Sequence, residues 1–358
     1  MNRLLVTGGA GFIGSALIRQ LIDETEWTIV DVDSLSYAAN IESLAGALDH
    51  PRHVFYRIDI GDRGALDRLF REHRPNAVVH LAAETHVDRS ISAPTRFTAT
   101  NVDGTGNLLE AARSYWNELE GHARAAFRFL HVSTDEVYGD LGPDEPRFTE
   151  DTRYAPSSPY SASKAAADHL TRAWQRTYGL PALITHGSNS YGPYQLPDKL
   201  IPLTICDALE SERLPVYGSG QNIREWLHVD DHARALRRVL EAGTPGRTYD
   251  IGGHGGLTNL AVVQAICANL DRLAPRAAGR YGELIEFVAD RPGHDRRYAV
   301  DDTRLRTELG WQPRAQFETG LLNTIQWYLE HREWVRRART GEHRRAMEAR
   351  YPPRGRGA

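Results

Sequence analysis

The sequence predicts an α/β fold in which a doubly wound parallel sheet is followed by a smaller, loop-rich C-terminal lobe. In the first half of the chain, short apolar or β-branched runs alternate with helical patterns. A glycine-rich turn joins the first of these runs to the first helix, and after Asn189 the pattern breaks into Pro- and Gly-rich pieces. Strands that alternate with helices favour right-handed βαβ crossovers and a parallel sheet with helices on both faces.

The predicted elements follow one another at short intervals. Strands are expected at residues 3–8, 28–33, 53–59, 76–82, 127–134 and 182–188, and helices at about 12–24, 62–73, 96–118 and 161–179. We expect residues 1–188 to form a first domain, to which the chain returns at about 222–252. Residues 189–358 form mainly the second lobe, and loops of this kind are where binding residues concentrate.

Size and composition limit the class of protein. At 358 residues the chain is expected to form one large or two closely associated domains. No apolar run approaches the roughly 20 residues of a membrane-spanning helix, which predicts a soluble, cytoplasmic protein. Cys206 and Cys267 lack metal-ligand or disulfide spacing, so a reducing compartment and no metal site are expected. A net charge of −4 argues against nonspecific nucleic-acid binding, and the Arg-rich segment 331–358 favours a solvated helix over a nucleic-acid arm.

The glycines of TGGAGFIG predict a dinucleotide site. Gly8, Gly11 and Gly14 lie between the first strand and the first helix, where glycine lets the backbone approach a pyrophosphate and the helix offers unpaired N–H groups. Asp33 ends the second strand, where a carboxylate suits a free ribose 2′-OH and repels a 2′-phosphate. A Rossmann-type domain that binds NAD rather than NADP is therefore predicted. Further cofactor contacts are expected at Phe12, Ile13, Asp59, Ile60, Leu81, Ala82 and Ala83, with the alternative that Asp59 caps the helix beginning near Asp62.

Lysine is rare in this chain, and one of its positions has a chemical reason. Lys164 and Lys199 are the two lysines, beside 41 arginines. SPYSASKAAADHL places Tyr160 four residues before Lys164, on the same face of a helix. A phenol has an unperturbed pKa of about 10, and an adjacent ammonium stabilises the phenolate. The spacing therefore predicts a tyrosine base whose pKa lies near working pH.

Two adjacent carboxylates follow the predicted strand FRFLHVST. Asp135 and Glu136 come directly after Thr134, and if both line one pocket they form an acid and base pair. Successive side chains on an extended strand point to opposite faces. Both can reach one substrate only if the chain leaves regular strand geometry at this point.

These motifs resemble the extended short-chain dehydrogenase/reductase family of nucleotide-sugar enzymes, and within it the 4,6-dehydratases. The adjacent Asp and Glu are the most specific part, because sister epimerases and decarboxylases generally lack them. The resemblance runs nearly end to end and is carried by VTGGAGFIGS, HLAAETHVDRS, VSTDEVYGD, SPYSASKA, YGPYQLPDKLIP, REWLHVDDHARAL, YDIGG and DRPGHDRRYAVD.

The resemblance implies that dTDP-glucose loses water with no net redox change. C4 is oxidised by NAD, the 4-keto group acidifies the C5 proton, the C6 hydroxyl leaves, and the hydride returns to C6. Tyr160 is implied as the base at the C4 hydroxyl, Lys164 as the group that tunes it and holds the nicotinamide ribose, and Thr134 as a partner of the C4 oxygen. Asp135 is implied as the acid at the C6 oxygen and Glu136 as the base at C5, which requires the pKa of Asp135 to rise.

The resemblance also implies a substrate site and a homodimer. Cationic side chains suit the diphosphate of a nucleotide sugar. The dimer would form through helices 96–118 and 160–179, whose apolar positions include Leu108, Leu109 and Ala112. The implied substrate-binding residues are Asn189, Lys199, Leu200, Pro215, Tyr217, Arg224, Asn259, Arg291 and His294, with Tyr351 as a further contact.

The chain departs from the family pattern beside the site, which keeps alternatives open. His186-Gly187-Ser188-Asn189-Ser190 stands where the pattern is closer to Asn-Cys-Ser-Asn-Asn, Ala39 stands where Gly is usual, and Ala346 where an aromatic is usual. The alternatives within the family are a UDP-sugar 4,6-dehydratase and a nucleotide-sugar 4-epimerase. The alternative outside enzymes is an NAD-sensing binding protein.

Overall fold

In a computed structural model, which describes residues 3–253, 255–342 and 345, the chain is built around a seven-stranded sheet. The strands are β1 (Arg3–Thr7), β2 (Thr28–Asp33), β3 (His53–Arg57), β4 (Ala77–His80), β5 (Arg128–Thr134), β6 (Ala182–Gly187), β7 (Asn189–Tyr191), β8 (Leu214–Tyr217), β9 (Ile223–His228), β10 (Thr248–Ile251), β11 (Gly256–Thr258) and β12 (Ile285–Val288). The order in the large sheet is β10-β6-β5-β4-β1-β2-β3, and every pairing in it is parallel. Two small sheets pair β11-β9-β7 and β12-β8.

Helices cover both faces of the large sheet. The α-helices of the described residues are α1 (Phe12–Glu24), α2 (Arg63–His73), α3 (Val87–Ser92), α4 (Pro94–Phe97), α5 (Thr105–Asn117), α6 (Gly121–Ala126), α7 (Pro159–Tyr178), α8 (Leu200–Leu209), α9 (Val229–Ala242), α10 (Asn259–Leu273), α11 (Thr303–Leu309), α12 (Phe317–Glu330) and α13 (Arg332–Thr340). Of these, α8, α10, α12 and α13 pack in a separate core with the small sheets. Alternate residues of β1 enter different cores: Leu4 packs with Leu236 of α9, whereas Leu5 packs with Leu66 of α2 and Leu109 of α5. The parallel, doubly wound sheet predicted from the alternating pattern is confirmed. Within the described residues, no helix is long and apolar enough to cross a membrane.

The strands reverse their order between β1 and β4. The chain runs from β1 through β2 to β3 on one side, and then continues with β4, β5 and β6 on the other. At such a switch point, the loops after neighbouring strands diverge and leave a crevice at the carboxyl edge of the sheet. The predicted strands at 53–59 and 76–82 end earlier, at Arg57 and His80, because the residues that follow them turn into this crevice.

The predicted helix at 96–118 is confirmed as helical, but it is not one regular α-helix. α4 is followed by a π-helical segment, Thr98–Gly104, before α5 begins. In this segment Asn101 accepts a hydrogen bond from the backbone of Glu84 (2.8 Å) and donates to Ser163 Oγ (2.9 Å), which ties it to the loop after β4 and to α7. The wider π-helical turn places the Asn101 amide within hydrogen-bonding distance of both Glu84 and Ser163. The apolar periodicity of the sequence does not reveal this π-helical turn.

Two other expectations need correction. Leu108, Leu109 and Ala112 were expected to provide apolar positions for a dimer, but all three are fully buried within the chain. Asp62, not Asp59, caps α2 by accepting a hydrogen bond from Ala65 N (2.9 Å). The return of the chain to the large sheet is seen in β10, whereas β9 pairs with β7 and β11 in a small sheet.

Candidate active site

A single cavity occupies the crevice at the carboxyl edge of the large sheet. Its volume is about 520 Å³, and it is lined by residues that follow β1, β2, β3, β4, β5 and β6. It extends from the glycine turn after β1 to Lys199 in the second lobe. Residues from both halves of the chain therefore face one enclosed space.

The glycine turn forms a backbone cradle at one end of the cavity. Gly8 has a φ of +79°, and a Cβ on it would lie 2.6 Å from the backbone nitrogen of Ala82. A Cβ on Gly14 would lie 2.2 Å from the carbonyl oxygen of Gly8. α1 starts after Gly11 with no side chain capping its first N–H groups. Uncapped amides at a helix N-terminus favour an anion, so this end of the cavity fits the pyrophosphate of a dinucleotide.

Asp33 lies at the end of β2, beside the cradle. Its carboxyl group accepts hydrogen bonds from Ala10 N (3.1 Å) and Leu35 N (2.8 Å), which fix its orientation. Burial, assisted by the negative charge of Asp31, raises the pKa of Asp33 to about 7. A carboxyl group held in this way can hydrogen-bond ribose hydroxyls, which fits NAD.

The predicted cofactor residues come together. Every one of them lines the cavity: Gly8, Gly11, Phe12, Ile13, Gly14, Asp33, Asp59, Ile60, Leu81, Ala82, Ala83, Tyr160 and Lys164.

The chain leaves strand geometry where the two carboxylates lie. β5 ends at Thr134, and residues Asp135–Tyr138 form a turn of 3₁₀ helix. Thr134 Oγ1 accepts a hydrogen bond from Glu136 N (3.3 Å) and donates to Asp135 Oδ1 (3.3 Å). Because the turn replaces the alternation of a strand, both Asp135 and Glu136 line the cavity. The geometric condition set by the sequence is met.

The two carboxyl groups have different electrostatic surroundings. Burial raises the pKa of Asp135 well above its usual value, and the negative charges of Glu136 and Glu225 add to this. Burial also raises the pKa of Glu136, but the cations of Arg224, Arg291 and Lys199 oppose it. Asp135 is thus suited to hold a proton, and Glu136 is suited to accept one.

Tyr160 and Lys164 lie on the face of α7 that lines the cavity. Burial and the charge of Glu136 raise the pKa of Tyr160, while a hydrogen bond with Thr134 opposes this. Burial lowers the pKa of Lys164 to about 8, and its ammonium donates to Val132 O (2.9 Å). The ammonium is thus directed to the backbone of β5, and the expectation that it brings the pKa of Tyr160 toward working pH stays a prediction.

The predicted substrate residues divide into two groups. Asn189 and Lys199 line the cavity, and Lys199 donates to Thr85 O (3.2 Å). Arg224 is buried, with its charge acting on Asp135 and Glu136. The others lie outside the cavity lining: Leu200 begins α8, Pro215 and Tyr217 lie on β8, Asn259 begins α10, and Arg291 and His294 lie in the loop after β12. Tyr351 and Ala346 lie outside the described residues.

Asp88 connects part of this outer group. Its carboxylate accepts from Tyr217 OH (3.4 Å) and from Arg291 Nη1 (3.4 Å), and the Tyr217 ring packs against His294. Sequence reasoning did not single out Asp88, although it lies in the quoted stretch HLAAETHVDRS.

Several further polar residues of the cavity were also missed. They are Ser34, Ser36, Glu84, Thr85, Arg96, Thr100, Ser188, Ser190, Gln195 and His232. Glu84 and Arg96 form an ion pair (2.7 Å), and Ser190 Oγ lies 2.8 Å from His232 Nδ1. The signal available for some of them was position, since Glu84 closely follows one predicted strand and Ser188 ends another. Arg96 and His232 lie on helices, where nothing in the sequence distinguishes them.

The parallel sheet, the glycine cradle and the Tyr160–Lys164 pair define an extended short-chain dehydrogenase/reductase. A family model described as GDP-mannose 4,6 dehydratase matches residues 5–324. A dTDP-glucose 4,6-dehydratase of Neisseria meningitidis serogroup B is 57% identical over 347 residues, or 96% of this chain and 98% of that protein. The dTDP-glucose 4,6-dehydratase 1 of Escherichia coli K12 is 54% identical over 98% of this chain and 99% of its own. The chain belongs to the family of the dTDP-glucose 4,6-dehydratases.

Solved structures agree with this assignment. The crystal structure of DesIV, a dTDP-glucose 4,6-dehydratase from Streptomyces venezuelae with NAD and TYD bound, has a TM-score of 0.85. It is 44% identical to this chain and covers 94% of it, with 99% of that structure matched. A UDP-glucose 4-epimerase from Thermotoga maritima has a TM-score of 0.80 at 29% identity, over 92% of this chain and 99% of that one.

Proposed function

We propose that this chain catalyses the NAD-dependent dehydration of dTDP-glucose to dTDP-4-keto-6-deoxyglucose in deoxysugar biosynthesis. The observation that carries the proposal is the turn at 135–138, which directs Asp135 and Glu136 into the cavity that also holds Tyr160 and the glycine cradle. An epimerase needs a hydroxyl base, but the elimination of water needs an additional acid and base. The pair supplies both.

Tyr160 acts first, as the base that takes the proton of the C4 hydroxyl. Thr134 lies beside it and hydrogen-bonds the C4 oxygen, and the positive charge of Lys164 favours the phenolate. NAD, when bound in the glycine cradle, accepts a hydride from C4 and supplies it to C6. Lys164 also holds the nicotinamide ribose, for which its position on the cavity wall is suitable.

Glu136 and Asp135 carry out the elimination. Once C4 is a ketone, the proton on C5 is acidic, and Glu136 removes it. Asp135 gives its proton to the C6 oxygen, which leaves as water, so a C5–C6 double bond forms in place of the C5–H and C6–O bonds. Addition of the hydride at C6 and of a proton at C5 completes the 4-keto-6-deoxy sugar, with no net change in redox state.

The nucleotide diphosphate is held by cationic side chains at the second-lobe end. Lys199, Arg224 and Arg291 provide the positive groups, and their charges also act on Glu136. Burial and the charges of Arg291 and Arg224 lower the pKa of His294, which therefore binds as a neutral hydrogen-bonding side chain. Asn189, Leu200, Pro215, Tyr217 and Asn259 complete the substrate-binding set. We place the NAD-binding domain at residues 1–188 with a return through α9 and β10, and the nucleotide-sugar lobe mainly at 189–358. Support for the return comes from β10, which extends the large sheet beside β6.

We also propose a cytoplasmic homodimer. α5 and α7 pack side by side, with Trp174 Nε1 donating to Glu110 Oε2 (3.3 Å). The outer side of α7 carries Ala162 and Ala173, both exposed, and Ala166 between them. This stripe of α7, in which the exposed His169 lies between Ala166 and Ala173, consists mainly of small residues and permits close approach of a second copy. Cys206 and Cys267 are buried and unpaired, which suits a reducing compartment.

The reaction is tested by incubating the pure protein with dTDP-glucose in D₂O without added NAD. We expect a 4-keto-6-deoxy product with one deuterium at C5, because Glu136 exchanges its proton with solvent before the proton returns. In H₂O, dTDP-[4-²H]glucose should give a product with the label at C6. Formation of dTDP-galactose would indicate an epimerase, faster turnover of UDP-glucose would indicate the UDP-sugar enzyme, and no turnover of either sugar would indicate a binding protein.

A further inference from the structure

A line of buried charges runs from α7, one turn past Lys164, to the strands of the large sheet. His186 Nε2 is 3.0 Å from Asp168 Oδ2, and His186 Nδ1 is 3.0 Å from Asp250 Oδ1. All three side chains have no exposed surface. They belong to α7, β6 and β10, so the line crosses from the catalytic helix to the edge of the sheet.

The protonation of this line follows from its hydrogen bonds. Burial by itself lowers the pKa of His186, but its bonds to Asp168 and Asp250 outweigh this and raise the pKa to about 9. Burial likewise favours the neutral form of Asp168, but contacts with His131 and His186 hold its pKa far below the usual range. An imidazolium thus lies against the carboxylate of Asp168, and on its other side it opposes the rise in the pKa of Asp250 that burial causes.

Lys164 lies at the catalytic end of the same line. Asp168 follows Lys164 by four residues on α7, one turn along the same face. Both side chains are buried and reach the same strand: Lys164 Nζ donates to Val132 O, and Asp168 Oδ1 lies 3.1 Å from His131 Nε2. Val132 and His131 are consecutive on β5, and the charge of Asp168 acts on the Lys164 ammonium.

The two histidines nearest this pair are neutral at neutral pH. Burial lowers the pKa of His131 to about 4 and that of His80 well below its usual value. Tyr154 OH donates to Asp168 Oδ2 (2.9 Å), and Tyr138 OH donates to Asp250 Oδ1 (2.9 Å). The remaining groups near the line are Tyr160, Arg172 beside Tyr154, and Glu150 and Arg304 near Asp250.

We propose that Asp168, held by His186 and Asp250 in a line of alternating buried charges, is the counter-charge of the Lys164 ammonium and hence a positioning residue of the reaction. The inference deepens the proposed function, on which it rests for the role of Lys164. The glycine cradle, Tyr160 and the carboxylate pair line the cavity, whereas Asp168 lies outside the cavity lining, one turn further along the same face of α7.

The need for a counter-charge follows from burial. Burial lowers the pKa of Lys164 to about 8, with Asp168 acting in the opposite direction. Without a carboxylate at position 168, the ammonium would lose its proton at a lower pH. A neutral lysine no longer favours the Tyr160 phenolate, so the base at C4 would be weakened on the alkaline side.

The scarcity of lysine allows a direct test. With ¹³C at the Cε of lysine, the full-length protein gives two lysine signals, from Lys164 and Lys199, and a Lys199→Arg variant assigns them. We expect the Asp168→Asn variant to lower the pKa of Lys164 by about one to three pH units, the effect of removing an opposite charge at close range. The alkaline limb of kcat for dTDP-glucose should move to lower pH by a similar amount, whereas a merely structural role would lower kcat at every pH.

Two variants serve as controls. Tyr154→Phe removes a hydrogen bond to Asp168 but leaves every charge in place, so the pKa of Lys164 should stay within about 0.3 of wild type. Asp168→Glu keeps the carboxylate, and the pKa of Lys164 should return toward the wild-type value. If Asp168→Asn does not fold, His186→Asn is measured in its place. This variant removes the buried imidazolium next to Asp168, and its loss should raise the pKa of Lys164.

An unchanged pKa of Lys164 in Asp168→Asn would overturn the proposal. If that variant does not fold, an unchanged pKa of Lys164 in His186→Asn would overturn it instead. The titration needs no substrate. A failure of the proposed function, seen as no turnover of dTDP-glucose, is therefore distinguishable from a failure of this inference.

Discussion

The two carboxyl groups of the turn after β5 differ in their neighbours. Asp135 faces the negative charges of Glu136 and Glu225, and its Oδ2 has no hydrogen-bond partner among the described residues. Glu136 is opposed instead by Arg224, Arg291 and Lys199. One turn of 3₁₀ helix thus gives two adjacent carboxyl groups different tendencies to hold a proton, the stronger one at Asp135. This difference is what an elimination requires.

For these residues, we predict that Glu136→Gln slows the elimination of water far more than the oxidation at C4. The amide cannot accept the C5 proton, so C4 oxidation should proceed while dehydration slows by about 10²- to 10⁴-fold. Absorbance of the reduced nicotinamide should become visible on the enzyme after dTDP-glucose is added. The matched control is Asp135→Asn, which keeps the C5 base: substrate recovered from D₂O should carry deuterium at C5. Normal turnover by Glu136→Gln would show that another group is the C5 base.

Among the elements, α7 combines the most functions in one helix. Its first turn carries Tyr160, its second Lys164 and its third Asp168, all on the buried side. The helix begins with a capping box, in which Ser158 Oγ accepts from Ser161 N (3.0 Å) and Ser161 Oγ accepts from Ser158 N (3.0 Å). Pro159 follows at the first helical position, where its fixed φ suits a helix start. The cap therefore determines where the first catalytic turn begins, two residues before the predicted start at 161.

We predict that Ser158→Ala lowers both stability and activity. Loss of the cap should reduce the free energy of unfolding by about 1 kcal/mol, measured by urea titration with circular dichroism. It should also reduce kcat, because Tyr160 is in the turn that loses its anchor. The matched control is Asp62→Ala, which removes the cap of α2, a helix without site residues. That variant should lose similar stability and keep its kcat; an equal loss of kcat in both would contradict the link between the cap and Tyr160.

The whole molecule places its chemistry where the two halves of the chain meet. The cradle after β1 and the carboxylate turn after β5 lie on the large sheet, whereas Lys199 and Arg224 come from the second lobe. The opposite side of the catalytic helix is left to the surface. Tyr178 at its end is 47% exposed, and the guanidinium of Arg113 lies over its ring (4.7 Å). The same helix thus offers its buried side to the reaction and, in the proposed homodimer, its outer side to a second copy.

We predict that Ala166→Arg breaks the proposed homodimer. A long cation in the middle of the small-residue stripe prevents the close approach of two helices, so the variant should sediment with the mass of one chain, 40.1 kDa. Wild type should sediment with twice that mass. The control is Ala242→Arg, an exposed alanine of α9 on another surface, which should stay dimeric. A dimer that survives Ala166→Arg, or a monomeric wild type, would rule out this interface.

The sequence by itself determined the features that depend on short stretches of chain. Gly8, Gly11 and Gly14 predict the cofactor cradle because a tight turn and close backbone approach require glycine at fixed spacing, and every predicted cofactor residue lines the cavity. Most strands and the helices at 12–24 and 62–73 lie within two residues of their predicted bounds, because alternation and apolar periodicity are local. The departure from strand geometry at Asp135 was foreseen as a requirement of the chemistry.

Only the tertiary structure decided what depends on residues far apart in the chain. The π-helical segment before α5 accompanies a contact between Asn101 and the loop after β4. The raised pKa of Tyr160 comes from its burial and from the charge of Glu136. Asp168, His186 and Asp250 lie on three separate elements, so their spacing in the sequence does not predict their contact. The type of a side chain and its spacing along a helix or strand can be read from the sequence. Its burial, its neighbours and therefore its protonation are determined only when the sheet and helices pack together.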